Sequence, residues 1–284
     1  MLPHILCIVG PTSSGKTAMG LRLAKERNGE IINADARQVY RGFDIGTGKP
    51  KGEWKEGVYL VDGVVHHLMD DVDPMTTMTV AEWRERALST IHDIVRRGKL
   101  PIVVGGTGLY VQALVDAYDL PHVPPQKELR DRLEKMSLEE RVHELKGVDP
   151  QAASVVDLMN PRRVQRALEV ALTTGRSFVD QRVKKEPVVN AEMICLMPSR
   201  EELYRRIDAA VDERMADGWL DEVRRLHDAG IPWDAPAMTS IGYRELGAVL
   251  RGEMSLEEAT VKIKQATRQY AKRQMTWFKK YVPV

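Results

Sequence analysis

The first apolar run of the chain, Ile5-Leu6-Cys7-Ile8-Val9, has no polar interruption and gives way at once to a Gly-rich segment. A short continuous run bounded in this way predicts a buried strand. Residues 18–24 then carry helical spacing, Asn28-Gly29 marks a turn, and Glu30-Ile31-Ile32-Asn33-Ala34 predicts a second strand. A strand–helix–strand unit of this length predicts a right-handed crossover into a parallel pair, with the residues just past both strands meeting at the carboxyl edge of the sheet. Residues 41–75 are loop-rich, with one short strand at Val58-Tyr59-Leu60-Val61. A helix over 80–97 closes at Gly98, a buried strand follows at Leu100-Pro101-Ile102-Val103-Val104, and helix continues over 109–117.

Pro121, Pro124 and Pro125 mark a boundary. From there to about residue 187 the pattern is helical and charged, with helices predicted over 126–136, 138–146, 151–157 and 161–174, the last ending at Gly175. Met193-Ile194-Cys195-Leu196-Met197 resumes the sheet, and further helices are expected over 200–218, 220–229 and 255–281.

Composition adds less than distribution. The chain has 284 residues and a net charge of +1, so bulk charge selects no partner. Residues 259–284, however, hold seven Lys/Arg and no Asp/Glu, and residues 160–175 hold three Arg against one Glu. Such basic patches on a neutral protein are what a polyanion would meet. The two cysteines, Cys7 and Cys195, sit in apolar strand-like runs and read as packing residues in a reducing, cytoplasmic setting. No signal-like segment opens the chain and no apolar run approaches membrane-spanning length, so no membrane partner is expected; the chain is expected to be a monomer.

Chemistry enters at Gly10-Pro11-Thr12-Ser13-Ser14-Gly15-Lys16-Thr17, which is G-x-x-x-x-G-K-[ST] with a strand before it and a helix after. Backbone N–H groups of such a loop point into one hollow, and the helix N-terminus adds positive potential there. Lys16 supplies a full charge, and Thr17 offers a hydroxyl to a phosphate-bound Mg²⁺. A di- or triphosphate is therefore expected. The fold class is α/β, a P-loop NTPase-like parallel-sheet core (residues 1–118 and 189–284) with an inserted all-helical subdomain (residues 119–188). Strand 100–104 ends in Gly105-Gly106-Thr107-Gly108, where a P-loop ATPase commonly places a Mg²⁺-holding Asp.

Asp35, one residue past the second strand, is expected near the hollow, as a general base, as a group behind Mg²⁺, or as the N-cap of a following helix. Arg162 and Arg166 share a helical face, either for an anion or as a solvated surface. Lys264, Arg268 and Lys272 form an i, i+4, i+8 stripe beside Tyr270, Trp277 and Phe278, which suits RNA or an ordinary charged helix face. His66-His67 has no Cys or His partners at zinc spacing, and adjacent side chains on extended backbone point opposite ways.

These segments together resemble the tRNA dimethylallyltransferases. The resemblance is carried by residues 10–17, by the Asp35-Ala36-Arg37-Gln38-Val39-Tyr40 block running on to Pro50, and by His66-His67-Leu68. It continues through Gly105-Gly106-Thr107-Gly108-Leu109-Tyr110, residues 162–170, Ile241-Gly242-Tyr243-Arg244-Glu245 and the block from Thr267 to Phe278. The family implies that the P-loop holds dimethylallyl diphosphate with Mg²⁺. It further implies that Asp35 takes a proton from the N6 amine of an adenine beside the anticodon, and that Thr107 lies near the same amine. Lys16 would stabilise the departing diphosphate. It also implies tRNA contacts, to the anticodon stem-loop, from Asp35, Ala36, Arg37, Gln38, Thr107, Arg130, Arg162, Arg163, Val164, Gln165, Arg166, Gly242, Tyr243, Arg244, Lys272, Arg273, Gln274 and Trp277. Three positions depart from the family pattern: Ala36 stands for a Ser, Val65 for a Pro, and Ala210 for a diphosphate-binding Arg. Arg206 and Arg214, one turn to either side of Ala210, are the expected substitutes. The chain also stops soon after its Thr-Trp pair, without the zinc-finger tail of eukaryotic relatives, which suggests a bacterial type. A small-molecule or nucleoside kinase, or a tRNA-binding relative without catalysis, is the alternative.

Overall fold

The structure, a computed structural model, describes residues 2–116, 123, 126–180 and 186–282; the three boundary prolines lie outside them. The chain divides into two compact units, Met1–Val115 with Val188–Val284, and Asp116–Pro187.

Among the described residues the first unit holds strands β1 (His4–Val9), β2 (Gly29–Asn33), β3 (Glu53–Lys55), β4 (Val58–Val61), β5 (Val64–His67), β6 (Leu100–Gly105) and β7 (Asn190–Cys195). Its helices are α1 (Lys16–Glu26), α2 (Val80–Arg96) and α3 (Gly108–Val115). The second unit supplies α4 (Lys127–Glu134), α5 (Leu138–Val148), α6 (Pro150–Val155) and α7 (Pro161–Thr174). The first unit resumes with α8 (Arg200–Ala216), α9 (Trp219–Asp228), α10 (Tyr243–Leu250) and α11 (Leu256–Phe278).

The sheet order is β3-β4-β5-β2-β6-β1-β7. β5, β2, β6, β1 and β7 run parallel, and β3 and β4 extend one edge antiparallel. The parallel relation of β1 and β2 holds, but they are not a pair: β6 lies between them and bonds to both. The reason is legible in β1. Ile5, Cys7 and Val9 pack into the core under α2 and α9–α11, whereas Leu6 and Ile8 pack with Leu23 and Ala24 of α1. A strand buried on both faces belongs in the middle of a sheet, with apolar neighbours on each side. Trp83 of α2, fully buried, donates Nε1–H to the Asn33 carbonyl at 2.9 Å and stacks on Tyr110 at 4.5 Å, fixing α2 and α3 to the carboxyl end of β2.

Two strands lie in the stretch expected to be loop. Glu56-Gly57 and Asp62-Gly63 all have positive φ (51°, 80°, 49° and 79°), so β3, β4 and β5 are joined by two tight two-residue hairpins. In the second unit α5 begins with a Ser137–Glu140 capping box, and α7 is capped by Asn160 and ends at Gly175 in the left-handed conformation. Leu133, Leu145, Ala152, Val164, Ala167 and Leu168 form its core.

Candidate active site

The P-loop is shaped by close approach. Gly10 has φ +145°, and a Cβ there would fall 2.3 Å from the Leu196 carbonyl oxygen at the end of β7. α1 begins without a side-chain cap and without an acidic residue in its first turn, so its free N–H groups face the hollow as an anion site. Ser14 Oγ is buried there and has no hydrogen-bond partner among the described residues. Lys16 Nζ donates to the Pro11 carbonyl at 2.6 Å. Burial lowers the Lys16 ammonium to about 8, with Asp35 and Cys195 pulling it back up. A bound diphosphate would relieve both the unpartnered hydroxyl and the desolvated cation.

Asp35 leaves the end of β2 in a turn rather than capping a helix. Its Oδ1 accepts the Arg37 N–H at 2.8 Å, and its own N–H donates to Asn33 Oδ1 at 3.0 Å. Among the described residues Oδ2 takes no hydrogen bond. Thr107 brackets this turn: Oγ1 accepts the Ala36 N–H at 2.9 Å, and the Thr107 N–H donates to the Ala34 carbonyl at 3.0 Å. Tyr270, whose ring the sequence left open between an RNA surface and the packing of a charged helix, lies beside this turn. Burial and the nearby Asp35 push its phenol up, and the Thr107 hydroxyl interacts with it.

The P-loop residues Thr12 to Thr17, Asp35, Gln38, Arg206, Ala210 and Arg214 all border one cavity of about 460 Å³. Ile31, Met69 and Val104 add an apolar wall, and His66 joins it from β5. His66 is buried, its pKa lowered by desolvation, and its Nδ1 bonds to the Val64 carbonyl at 3.0 Å. His67 points the other way, to Glu30 at 2.7 Å. Burial would raise the Glu30 carboxyl, but Arg97, Lys99 and His67 together hold it at about 2. The side chains that could meet a divalent cation are the exposed Thr17 hydroxyl and Asp35; no cluster of three His, Cys, Asp or Glu exists among the described residues. That donor set fits Mg²⁺, which keeps waters and takes substrate phosphate oxygens.

The sequence profile of the IPP transferase family matches residues 38–281. This chain belongs to that family. A tRNA dimethylallyltransferase of Thermomicrobium roseum is 45% identical over 97% of this chain and 83% of its own length. One of Anoxybacillus flavithermus is 43% identical over 99% and 88%. Among solved structures, the tRNA isopentenylpyrophosphate transferase of Bacillus halodurans aligns with TM-score 0.70 and 40% identity, covering 98% of this chain and 87% of that one. A eukaryotic dimethylallyltransferase crystallised acting on tRNA aligns with TM-score 0.78 and 30% identity, covering 97% and 69%.

The residues that the family resemblance assigned to tRNA do not all lie where an RNA could meet their side chains. Arg162 and Arg163 are exposed on α7, and Lys272 and Arg273 are exposed on α11. Arg244 is exposed and paired to Glu245 at 2.7 Å. Arg37 donates to the Pro236 carbonyl, and Gln38 donates to the carbonyls of Thr47 and Gly48 beside the cavity. Ala36 and Gln165 are half-buried. At four positions the residue is occupied within the protein. Val164 is fully buried in the helical core, so its side chain contacts protein only. Tyr243 is fully buried, with its hydroxyl on Glu222 at 2.6 Å. Gly242 lies under the Trp219 ring, which a Cβ there would strike. Gln274 is buried, accepting the Thr12 N–H at 2.9 Å and donating to the Gly106 carbonyl at 2.8 Å, so it staples the P-loop to the end of β6. Trp277 is half-buried against Gly108. In the α11 stripe, Lys264 pairs with Asp212 at 2.6 Å and Arg268 with Asp208 at 3.1 Å, which leaves Lys272 as its exposed member. Arg130 and Arg166 both bind the buried Glu169.

Proposed function

We infer that this family member transfers a dimethylallyl group from dimethylallyl diphosphate to the exocyclic N6 of an adenine next to the anticodon of tRNA, releasing diphosphate. The observation that carries this reading is the shared cavity: a P-loop hollow and a carboxylate open onto one space with an apolar wall. A kinase would share the first two features. The near full-length identity to tRNA dimethylallyltransferases and the exposed arginines of α7 favour the transferase.

The adenine amine is a weak nucleophile because its lone pair is delocalised into the ring. As N6 forms its bond to C1 of the dimethylallyl group, the C1–O bond breaks and its electron pair leaves with the diphosphate. Asp35 takes the N6 proton on Oδ2, while Oδ1 stays tied to the Arg37 N–H and keeps the carboxylate aimed. Thr107, fixed by the Ala36 N–H, holds its hydroxyl beside the same amine. Lys16 and the P-loop N–H groups meet the charge that grows on the diphosphate, an electrostatic task for donors placed in advance. Mg²⁺, held through Thr17 and phosphate oxygens, supplies further charge neutralisation when bound. The adenine reaches this space only by leaving its stack. Basic residues on α7 and α11 neutralise tRNA phosphates, and such a substrate places the protein in the cytoplasm.

The test is to incubate the protein with dimethylallyl diphosphate, Mg²⁺ and unmodified tRNA and to analyse the adenosines by mass. The expected result is one dimethylallyl addition per tRNA, on the adenine following the anticodon. Consumption of ATP without prenyl addition would return the kinase alternative.

A further inference from the structure

Helix α8 presents three residues to the cavity at i, i+4 and i+8, Arg206, Ala210 and Arg214, while Leu203, Ile207 and Val211 are buried on its other side. The two arginines are not equivalent. Arg206 Nε is 2.6 Å from Glu202 Oε1, and its side chain is 43% exposed. Its charge is already matched in water. Arg214 makes no ion pair among the described residues. Its one hydrogen bond among the described residues is long, Nη1 to the Gly46 carbonyl at 3.4 Å, and burial pushes its guanidinium pKa down. The guanidinium lies so close to Gly48 that a Cβ there would come within 2.5 Å of Nη2. Asp35 and Glu213 act on this guanidinium only from a distance, and no carboxylate among the described residues bonds to it. Facing a space that also holds Lys16 and the P-loop, it is left able to take a bonded counter-charge from a ligand.

We propose that Arg214, not Arg206, is the second anion-binding cation of this cavity, and that Glu222 is the positioning residue that holds it in place. The proposal rests on the transferase reading only in naming the anion as the diphosphate of the prenyl donor.

Glu222 of α9 is buried and accepts four hydrogen bonds. They come from the N–H groups of Asp44 (3.1 Å), Ile45 (2.8 Å) and Gly46 (3.2 Å) and from the Tyr243 hydroxyl (2.6 Å). Its carboxylate therefore fixes one side of the 44–48 loop. The opposite side carries the Gly46 carbonyl and the Gly48 backbone against Arg214, and the Thr47 and Gly48 carbonyls that hold Gln38. The loop is a bracket between a buried anion on α9 and, on α8, a cation that no carboxylate among the described residues bonds. Trp219, whose indole nitrogen is buried without a hydrogen-bond partner among the described residues and stands where a Gly46 Cβ would clash with it, closes the bracket and leaves it no slack.

The experiment measures binding of inorganic pyrophosphate with Mg²⁺ by calorimetry on the full chain. Arg214→Ala should weaken affinity about 10- to 100-fold, the range for a charge-assisted contact, and Arg206→Ala by less than about 3-fold. In the Arg214→Ala background, Ala210→Arg should recover about tenfold or more, because residue 210 borders the same cavity one turn away. Glu222→Gln should raise the KM for dimethylallyl diphosphate while leaving kcat within about 3-fold and tRNA affinity unchanged, a split that mere loss of stability does not produce. If Arg214→Ala melts early, Arg214→Met keeps the aliphatic stem and carries the same expectation. Pyrophosphate binding that is unchanged in both Arg214 variants but lost in Lys16→Ala would overturn the proposal and leave the transferase reading standing. A wild-type protein that binds no pyrophosphate would overturn both.

Discussion

The arginines of the two units sort themselves by what the chain offers them. In the helical unit, Arg130 and Arg166 grip the buried Glu169 of α7, with Arg130 Nη2 at 3.0 Å and Arg166 Nη1 at 3.3 Å from Oε2. In the sheet unit, Lys16 and Arg214, which line the cavity, bond among the described residues only to backbone carbonyls, Pro11 and Gly46. A buried charge without a partner is costly. A chain that bonds Arg130 and Arg166 to a buried carboxylate, and leaves Lys16 and Arg214 with Asp35 only at a distance, marks the second pair as ligand-directed. Charge alone does not make a binding residue; charge without an internal partner does.

The sharpest way to break this contrast is to remove Asp35, the one acid lining the cavity among the described residues. Asp35→Ala should lower prenyl transfer by about 10²- to 10⁴-fold, the usual reach of a positioned base. Its affinity for tRNA should stay within about tenfold, since the exposed arginines are untouched. Single-turnover transfer and filter binding on the same preparation separate the two; parallel loss of both would assign Asp35 to RNA docking instead.

Lys16 offers a pH-dependent form of the same test. Burial lowers its ammonium to about 8, and a bound diphosphate favours the protonated form. Affinity for pyrophosphate should therefore be full below pH 7 and fall as pH rises through 8, by up to about tenfold per unit, because binding must then recover a proton. Lys16→Gln should bind about 10- to 100-fold more weakly at pH 7 and lose the part of the pH response that exceeds pyrophosphate's own ionisation. A wild-type profile matching that of Lys16→Gln between pH 7 and 9 would show that the ammonium does not meet the anion.

How far the sequence reveals all this depends on range. The P-loop announces itself because its chemistry is local: glycines, Lys16 and Thr17 act within eight residues, between a strand and a helix whose patterns are plain. Asp35 is nearly as clear, because a residue just past a parallel strand has only the carboxyl edge to occupy. Of the β3–β5 hairpins only the strand at 58–61 was read from the sequence. Asp62-Gly63 between Val-rich runs is a strong hairpin signal, masked by the many glycines around it. The insertion of β6 between β1 and β2 was not legible, since strand order is decided by packing on both faces. Nor could spacing separate Arg162 from Arg166, or Lys272 from Lys264 and Arg268. Each stripe is regular in sequence, and the carboxylate that neutralises part of it lies on another helix or on the stripe's buried side: Glu169, Asp208 and Asp212. Gln274 shows the same limit, because both its partners are backbone groups far away in sequence.

The other side of the contrast can be broken at Glu169. Glu169→Gln leaves Arg130 and Arg166 sharing one neutral amide, and the cost should be about 1–3 kcal/mol rather than the full price of a buried pair, because both guanidinium groups are about one-third exposed. Thermal unfolding should show it, while pyrophosphate binding in the sheet unit stays unchanged. A drop in pyrophosphate affinity without loss of stability would mean that these arginines also serve a ligand.

The smallest effects belong to the exposed arginines, and they sharpen the contrast most finely. Arg162 and Arg163 begin α7 with no acidic residue in its first turn, and no carboxylate is bonded to them among the described residues. If they meet tRNA phosphates, Arg162→Ala and Arg163→Ala should each weaken tRNA binding only a few-fold at moderate salt. Each should also flatten the slope of log affinity against log salt by about 0.7, the counterion release per phosphate contact on a single strand. Arg166→Ala should lower thermal stability and move the slope less, because its charge is already matched by Glu169. A slope that changes equally for all three would mean that the Glu169 pair opens on binding, and that an internal partner does not remove a cation from the RNA surface.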